Sequence, residues 1–165
     1  MLIVFSGLPG TGKTALAVEL ARSLGAAYLR IDSIEQALIN STRRIYPVED
    51  AGYAAGYAVA EDNLRLGRTV VADSVNPLEL TRKAWLNAAE RAGCPGIEVE
   101  VVCSNREEHR KRIETRTSDI PTLKLPTWQD VLAREYHPWT RDHLVIDTAG
   151  KSVEQCVNEL VTHFR

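Results

Sequence analysis

The chain predicts an α/β fold: a five-stranded parallel sheet with helices on both faces. Three observations carry that reading. Short apolar runs alternate with helix-like stretches along all 165 residues. A glycine-rich segment, Gly7-Leu-Pro-Gly-Thr-Gly-Lys-Thr14, joins the first apolar run to the first helical stretch. Two later apolar runs end on a carboxylate, Asp32 and Asp73. Bulk composition agrees with one domain, residues 1–165: 44% hydrophobic and 25% charged is ordinary for a globular protein.

Each element follows from its local pattern. Leu2–Phe5 reads as the first strand and Lys13–Leu24 as the first helix. Ala27–Ile31 reads as a second strand ending at Asp32. Ser33–Ile39 reads as a short helix with Ser33 at its N-cap. Asp50–Leu66, rich in small residues, is a longer helix closed by Gly67. Arg68–Ala72 is a strand ending at Asp73, and Leu78–Ala92 is a helix closed by Gly93. Ile97–Cys103 is a strand, Arg106–Arg116 a charged helix, and Thr127–Tyr136 a helix broken by Pro138. His143–Ile146 and Ser152–Phe164 close the chain as strand and helix. Short strands separated by helices imply a parallel sheet, and ligands then bind beyond the carboxyl ends of the strands.

The motif at 7–14 fits a phosphate-binding P-loop, with four residues between Gly7 and Gly12-Lys13-Thr14. Gly7, Pro9, Gly10, Thr11 and Gly12 would curl the backbone so that its N–H groups point at phosphate oxygens. The helix starting near Lys13 adds its positive end. Lys13 would reach the β- and γ-phosphates of ATP, and the Thr14 hydroxyl would hold Mg2+.

Asp32, nineteen positions after Lys13, could take a proton from a hydroxyl attacking the γ-phosphate, or could cap a helix. Asp73 could hold magnesium or position the acceptor. Asn76 either orients substrate or serves the turn before Pro77. Arg112 and Arg116 lie four apart on one helix face, where like charges repel unless an anion lies nearby. They are the candidates to stabilise the migrating phosphoryl group, and 106–128 is the candidate lid. Arg43, Arg44, Tyr46 and Arg82 could bind an acceptor or simply lie at the surface. The four histidines show no pairing pattern and read as structural or surface groups.

Taken together, the chain resembles the small P-loop kinases. That group includes polynucleotide 5′-kinases, zeta toxins, chloramphenicol phosphotransferase and adenylylsulfate kinases. The likeness rests on GLPGTGKT at 7–14, Asp32, the run Leu66–Asn76 and the lid signature Arg112-Ile-Glu-Thr-Arg116. It implies a three-layer P-loop NTPase fold with an Arg-bearing lid, and transfer of phosphate from ATP to a hydroxyl. It also implies that Asp32 is the base, that Asp73 positions acceptor or magnesium, and that Arg116 clamps the phosphates. Polynucleotide kinases carry an arginine three residues after the catalytic Asp, where this chain has Glu35. A small-molecule acceptor is therefore favoured over a nucleic acid, and the arginines already within the chain favour it over a switch ATPase that transfers phosphate only to water.

The net charge of −2 gives no footprint for broad nucleic-acid binding. No apolar run has the length of a membrane span, and the N-terminal apolar stretch is expected to be a strand, not a signal peptide. Three scattered cysteines suit free thiols in a reducing, cytoplasmic setting. The expected assembly is a monomer or homodimer.

Overall fold

The computed structural model describes residues 1–164. Its elements are β1 (Leu2–Ser6), α1 (Lys13–Leu24), β2 (Ala27–Arg30), α2 (Ile31–Asn40), α3 (Ala51–Arg65), β3 (Val70–Asp73) and α4 (Glu79–Arg91). β4 (Gly96–Val102), α5 (Arg106–Thr115), α6 (Trp128–Ala133), β5 (Leu144–Asp147) and α7 (Val153–Val161) follow, with a 3-10 turn at Thr162–Phe164. The five strands are parallel and lie in the order β2-β3-β1-β4-β5.

The sheet divides two cores because side chains alternate across a strand. Ile3 and Phe5 of β1 pack with Leu16, Leu20, Ile146 and Leu160, under α1 and α7. Leu2 and Val4 pack on the other face with Ile31, Leu64, Trp85 and Ala89, under α3 and α4. Every residue of β1 and β3 is buried, so these strands read as continuous apolar runs rather than alternating ones. In register, Phe5 and Arg30 both stand opposite Asp73. The loops after β1, β2 and β3 thus open at the same end of the sheet.

Several boundaries differ from the sequence expectation by one to three residues, and three matter most. β2 ends at Arg30 and Ile31 begins α2, because Ile31 is buried in the α3–α4 core. Asp32 therefore sits in the first turn of α2, and Ser33 lies exposed within the helix instead of capping it. α6 is only six residues long, set by a capping box of Thr127 and Asp130. The last helix yields to a 3-10 turn at Thr162.

The irregular segment 116–127 is tied to β2 and α2. Asp119 accepts from Arg30 Nη1 at 2.7 and 2.9 Å. Thr122 Oγ1 accepts from Gln36 and Asn40 at 3.0 and 3.1 Å.

Candidate active site

Loop 7–12 is shaped by conformations that few side-chain-bearing residues adopt. Gly7 has φ +143° and Gly10 φ +82°. A Cβ on Gly7 would meet the Val101 carbonyl oxygen at 2.3 Å, and one on Gly10 would meet Ile113 Cδ1 at 2.5 Å. Inside the loop, Thr11 Oγ1 donates to the Leu8 carbonyl at 3.0 Å. From outside, three side chains brace its carbonyls. His109 Nε2 lies 2.8 Å from Pro9 O. Thr148 Oγ1 donates to Thr11 O at 2.7 Å, and Arg112 Nη1 donates to the same oxygen at 3.4 Å. With its outward carbonyls satisfied this way, the loop is held for ligands by its N–H side.

Lys13 and Asp73 form a buried pair, Nζ to Oδ1 at 3.5 Å, with side chains 9% and 2% exposed. Asp73 Oδ2 accepts from the Tyr28 hydroxyl at 2.9 Å. Burial, and then the Asp73 charge, push the Tyr28 phenol well above its ordinary range. It therefore stays protonated and donating. Asp73 Oδ1 has no hydrogen-bond partner.

A single cavity of about 880 Å³ runs from this loop across the end of the sheet. Gly10, Gly12, Lys13, Thr14, Arg112 and Arg116 line one part of it. Asp32, Glu35, Glu49, Asp50, Tyr53 and Ser74 line another, and Leu123–Pro126 also contribute to the wall. The phosphate loop and the Asp32 carboxylate thus share one enclosure.

Arg112 and Arg116, the two arginines expected on a lid, have different situations. Arg112 is fully engaged: with Glu108 at 2.6 Å, the Thr148 hydroxyl at 2.7 Å and the Thr148 carbonyl at 3.0 Å. Arg116 lies just past α5, where the backbone turns extended (φ −70°, ψ 150°). Its Nε has no hydrogen-bond partner and it makes no ion pair among the described residues. Burial lowers the proton affinity of its guanidinium, the Asp32 carboxylate opposes that, and Arg30 adds to it. The shared-face argument stops one residue short, because helical spacing does not extend beyond Thr115.

Several candidate substrate-binding residues lie off the cavity wall. Arg82 is wholly buried; its Nε donates to Asn76 O at 2.9 Å and its Nη2 to His137 O at 2.8 Å. The guanidinium carbon lies 4.0 Å from the Trp139 ring centroid and 4.8 Å from that of Tyr136. Asn76 is also wholly buried, bonded to Phe5 O, Ser6 Oγ and Trp85 Nε1. Both are struts under the turn after β3, and neither lines the cavity. Arg43, Arg44 and Tyr46 do not line it either. The chain after α2 folds back on that helix (Ile45 N–H to Leu38 O, 3.3 Å), which turns these side chains outward and leaves Tyr46 81% exposed.

Sequence reasoning gave no role to Tyr53, Ser74 or Thr148, and read His109 as a structural or surface group without placing it at the loop. None has a local signal; each acquires its place through contacts far away in the chain. The reading of the histidines as structural holds for His109, which braces the loop, and for His143, stacked at 4.0 Å on Trp139.

Comparison with known proteins now adds to this geometry. Residues 2–136 match the family model described as an AAA domain. The chain belongs to that AAA-domain family. No curated protein sequence matches. Among solved structures, it is similar to Chaetomium thermophilum Kti12 in complex with ADP-AlF3, at 21% identity and TM-score 0.71, covering 98% of each chain. It is similar to the Mycobacterium tuberculosis APS kinase in complex with AMPPNP and APS: 18% identity, TM-score 0.70, covering 99% of this chain and 96% of that one. A gluconokinase from Sinorhizobium meliloti aligns at 15% identity and TM-score 0.68, over 97% and 89% of the two chains. At these identities the likeness is one of fold. The P-loop NTPase fold and the resemblance to small P-loop kinases read from the AAA-domain chain are thus borne out. Among the described residues, no helix is long and apolar enough to cross a membrane.

Proposed function

We propose that this chain is an ATP-dependent phosphotransferase that moves the γ-phosphoryl group to a hydroxyl of a small molecule. The observation that carries this reading is the single cavity with the phosphate loop in one part and Asp32 in another. A phosphate-transfer enzyme needs both in one water-excluding space.

The loop N–H groups and the α1 N-terminus hold the β- and γ-phosphates. Lys13 exchanges its contact with Asp73 for the transferred phosphate. Arg116, which makes no ion pair among the described residues, places its charge where negative charge spreads in the transition state. Asp32 orients the acceptor hydroxyl. The hydroxyl oxygen bonds to the γ-phosphorus as the bond from that phosphorus to the β,γ-bridging oxygen breaks. ADP leaves with the electron pair, and the hydroxyl proton passes to Asp32. We favour Asp32 over Asp73 as the base, because Asp73 is committed to Lys13 and Tyr28.

The residues present suit magnesium. Thr14 lines the cavity, and Asp73 Oδ1 is a hard oxygen donor with no hydrogen-bond partner. Thr14 directly, and Asp73 through water, would hold the ion, which would neutralise phosphate charge when bound. Among the described residues, no cluster of three or more His, Cys, Asp or Glu forms an all-protein metal site.

A polynucleotide acceptor needs a basic groove near Arg43, Arg44 and Arg82. Burial of Arg82 takes one of the three out of such a groove and leaves two exposed arginines off the cavity wall to support it. The test is a screen of hydroxyl compounds with γ-labelled ATP, run beside Lys13→Ala and Asp32→Asn. Transfer of label to an acceptor by the wild type, lost in both variants, is the expected result. Label released only as inorganic phosphate would show a hydrolase instead.

A further inference from the structure

Segment 116–122 hangs between two distant parts of the fold. It leaves α5, where the Arg116 N–H still donates to the Arg112 carbonyl at 3.1 Å. α5 follows β4, which lies on one side of β1. Three residues beyond Arg116, Asp119 reaches β2, the edge strand on the other side of β1 and β3. The phosphate loop follows β1, so this short bridge crosses the end of the sheet beside it. Arg116 lines the same cavity as Gly12 and Lys13.

The far end of the bridge is fastened twice. Both carboxylate oxygens of Asp119 accept from Arg30 Nη1, at 2.7 and 2.9 Å. Arg30 is the last residue of β2 and stands opposite Asp73 in register. Ion pairs between exposed side chains contribute little. In this pair the Arg30 side chain is only 13% exposed, and hydrogen bonding from Arg30 holds the Asp119 carboxyl below the usual carboxylate range. Three residues further on, Thr122 Oγ1 accepts from Gln36 and Asn40 of α2 at 3.0 and 3.1 Å, and Gln36 is buried. Thr122 has φ +66°, a left-handed conformation that a β-branched residue adopts only under constraint. Its bonds to α2 supply that constraint.

Asp119 also settles a conflict of charge. Arg30 and Arg116 both line the cavity, and the Nε of each has no hydrogen-bond partner. Burial lowers the proton affinity of the Arg116 guanidinium, Asp32 raises it, and Arg30 lowers it again. Two guanidinium groups this close repel each other and compete for Asp32 unless one is already answered. Asp119 answers Arg30 and leaves Arg116 to face the phosphates.

We propose that Asp119 is a positioning residue for phosphoryl transfer, with Thr122 as its second anchor. Together they fasten the bridge that holds Arg116 at the transferred group. Asp119 also neutralises Arg30, so that Arg30 neither repels Arg116 nor takes its place beside Asp32. This rests on the phosphotransferase reading above. Both residues act through Arg116 and not on the substrate. Their effect therefore falls on the transition state, where negative charge spreads towards Arg116, and spares the ground-state nucleotide.

Calorimetric titration separates the two states without an acceptor. AMPPNP with magnesium probes the ground state, and Mg-ADP with aluminium fluoride mimics the phosphoryl group in transfer. Asp119→Asn should weaken the aluminium fluoride complex about tenfold, as loss of a hydrogen bond to a charged group does, and leave AMPPNP affinity unchanged. Arg30→Gln should weaken that complex less, because it removes the anchor and the competing charge together. The double variant should match Arg30→Gln, and so bind the mimic better than Asp119→Asn alone. Thr122→Gly takes φ +66° without strain and lacks the hydroxyl; it should weaken the mimic severalfold, again with AMPPNP unaffected. The proposal is overturned if Asp119→Asn weakens both ligands alike or neither, or if Thr122→Gly binds the mimic like the wild type. Losses that simply multiply in the double variant overturn it too. So does a wild type that binds AMPPNP but gains no ADP affinity from aluminium fluoride, since no clamp is then left to position. The phosphotransferase reading fails separately, and takes this proposal with it, if the wild type does not bind AMPPNP or if Lys13→Ala turns ATP over like the wild type.

Discussion

The two parts of the cavity are built on opposite plans. At the phosphate part, the charged and polar groups apart from Arg116 are paired before any ligand arrives. His109, Thr148 and Arg112 brace the loop carbonyls, Lys13 meets Asp73, and Tyr28 steadies Asp73. At the acceptor part, Asp32, Glu35, Glu49 and Asp50 form no ion pair among the described residues, and Glu49 and Asp50 are exposed to solvent. A braced loop binds the same phosphates in every turnover, and preorganisation lowers the cost of that binding. A carboxylate without a counter-charge costs stability where it is buried, as at Glu35, whose proton affinity burial raises.

The largest expected effect breaks the phosphate part. Lys13→Ala removes the charge aimed at the transferred group and should lower kcat by about 10²–10³ or more, as loss of a single electrostatic stabiliser does elsewhere. Steady-state kinetics checks it. Next, Asp32→Asn keeps the shape and removes the base. Transfer should fall about 10²–10⁴-fold, with nucleotide affinity close to wild type by fluorescence titration. An equal loss in nucleotide affinity would move Asp32 to the phosphate part and dissolve the contrast.

A smaller effect probes the bracing. Thr148→Val takes away the hydroxyl that donates to Thr11 O and accepts from Arg112. A buried hydrogen bond lost this way costs about 1–2 kcal/mol, so nucleotide Kd should rise about tenfold with acceptor KM unchanged. Calorimetric titration of an ATP analogue reads it directly.

The smallest effect sharpens the acceptor part through stability. Glu35 is held up to about 7 by burial and by Asp32. Its folded form therefore binds protons more tightly than its unfolded form. Stability is lost as pH rises from the ordinary glutamate range through 7, and the loss is complete above it. Glu35→Gln should remove this liability, raising stability by about 1 kcal/mol at pH 8, after allowance for partial exposure, and by little at pH 4.5. Urea melts of both forms at the two pH values measure it. A gain that does not grow with pH would show that the carboxylate is already compensated.

Much of this molecule was legible before its structure. The alternation of apolar and helical stretches placed all five strands and all seven helices within a few residues. The phosphate loop was legible because its function is local: glycines, Lys13 and the start of α1 lie within eight consecutive residues. Asp32 was legible by position, though its element was not, since burial of Ile31 in a distant core decides where β2 stops. Arg82 and Asn76 look no different in sequence from substrate-binding residues. Their burial depends on Trp85, Tyr136 and Trp139 folding around them.

By itself the sequence determined the fold class, the nucleotide-binding loop and the carboxylates that face it, because each is written in short-range spacing. The tertiary structure alone decided which arginine is occupied and which is unpaired, which polar residues are struts, and that Glu35, Tyr53 and Ser74 share a cavity with Asp32. Those outcomes depend on burial and on partners more than twenty residues apart, such as Tyr53 and Asn76 or Arg112 and Thr148, which no local pattern encodes.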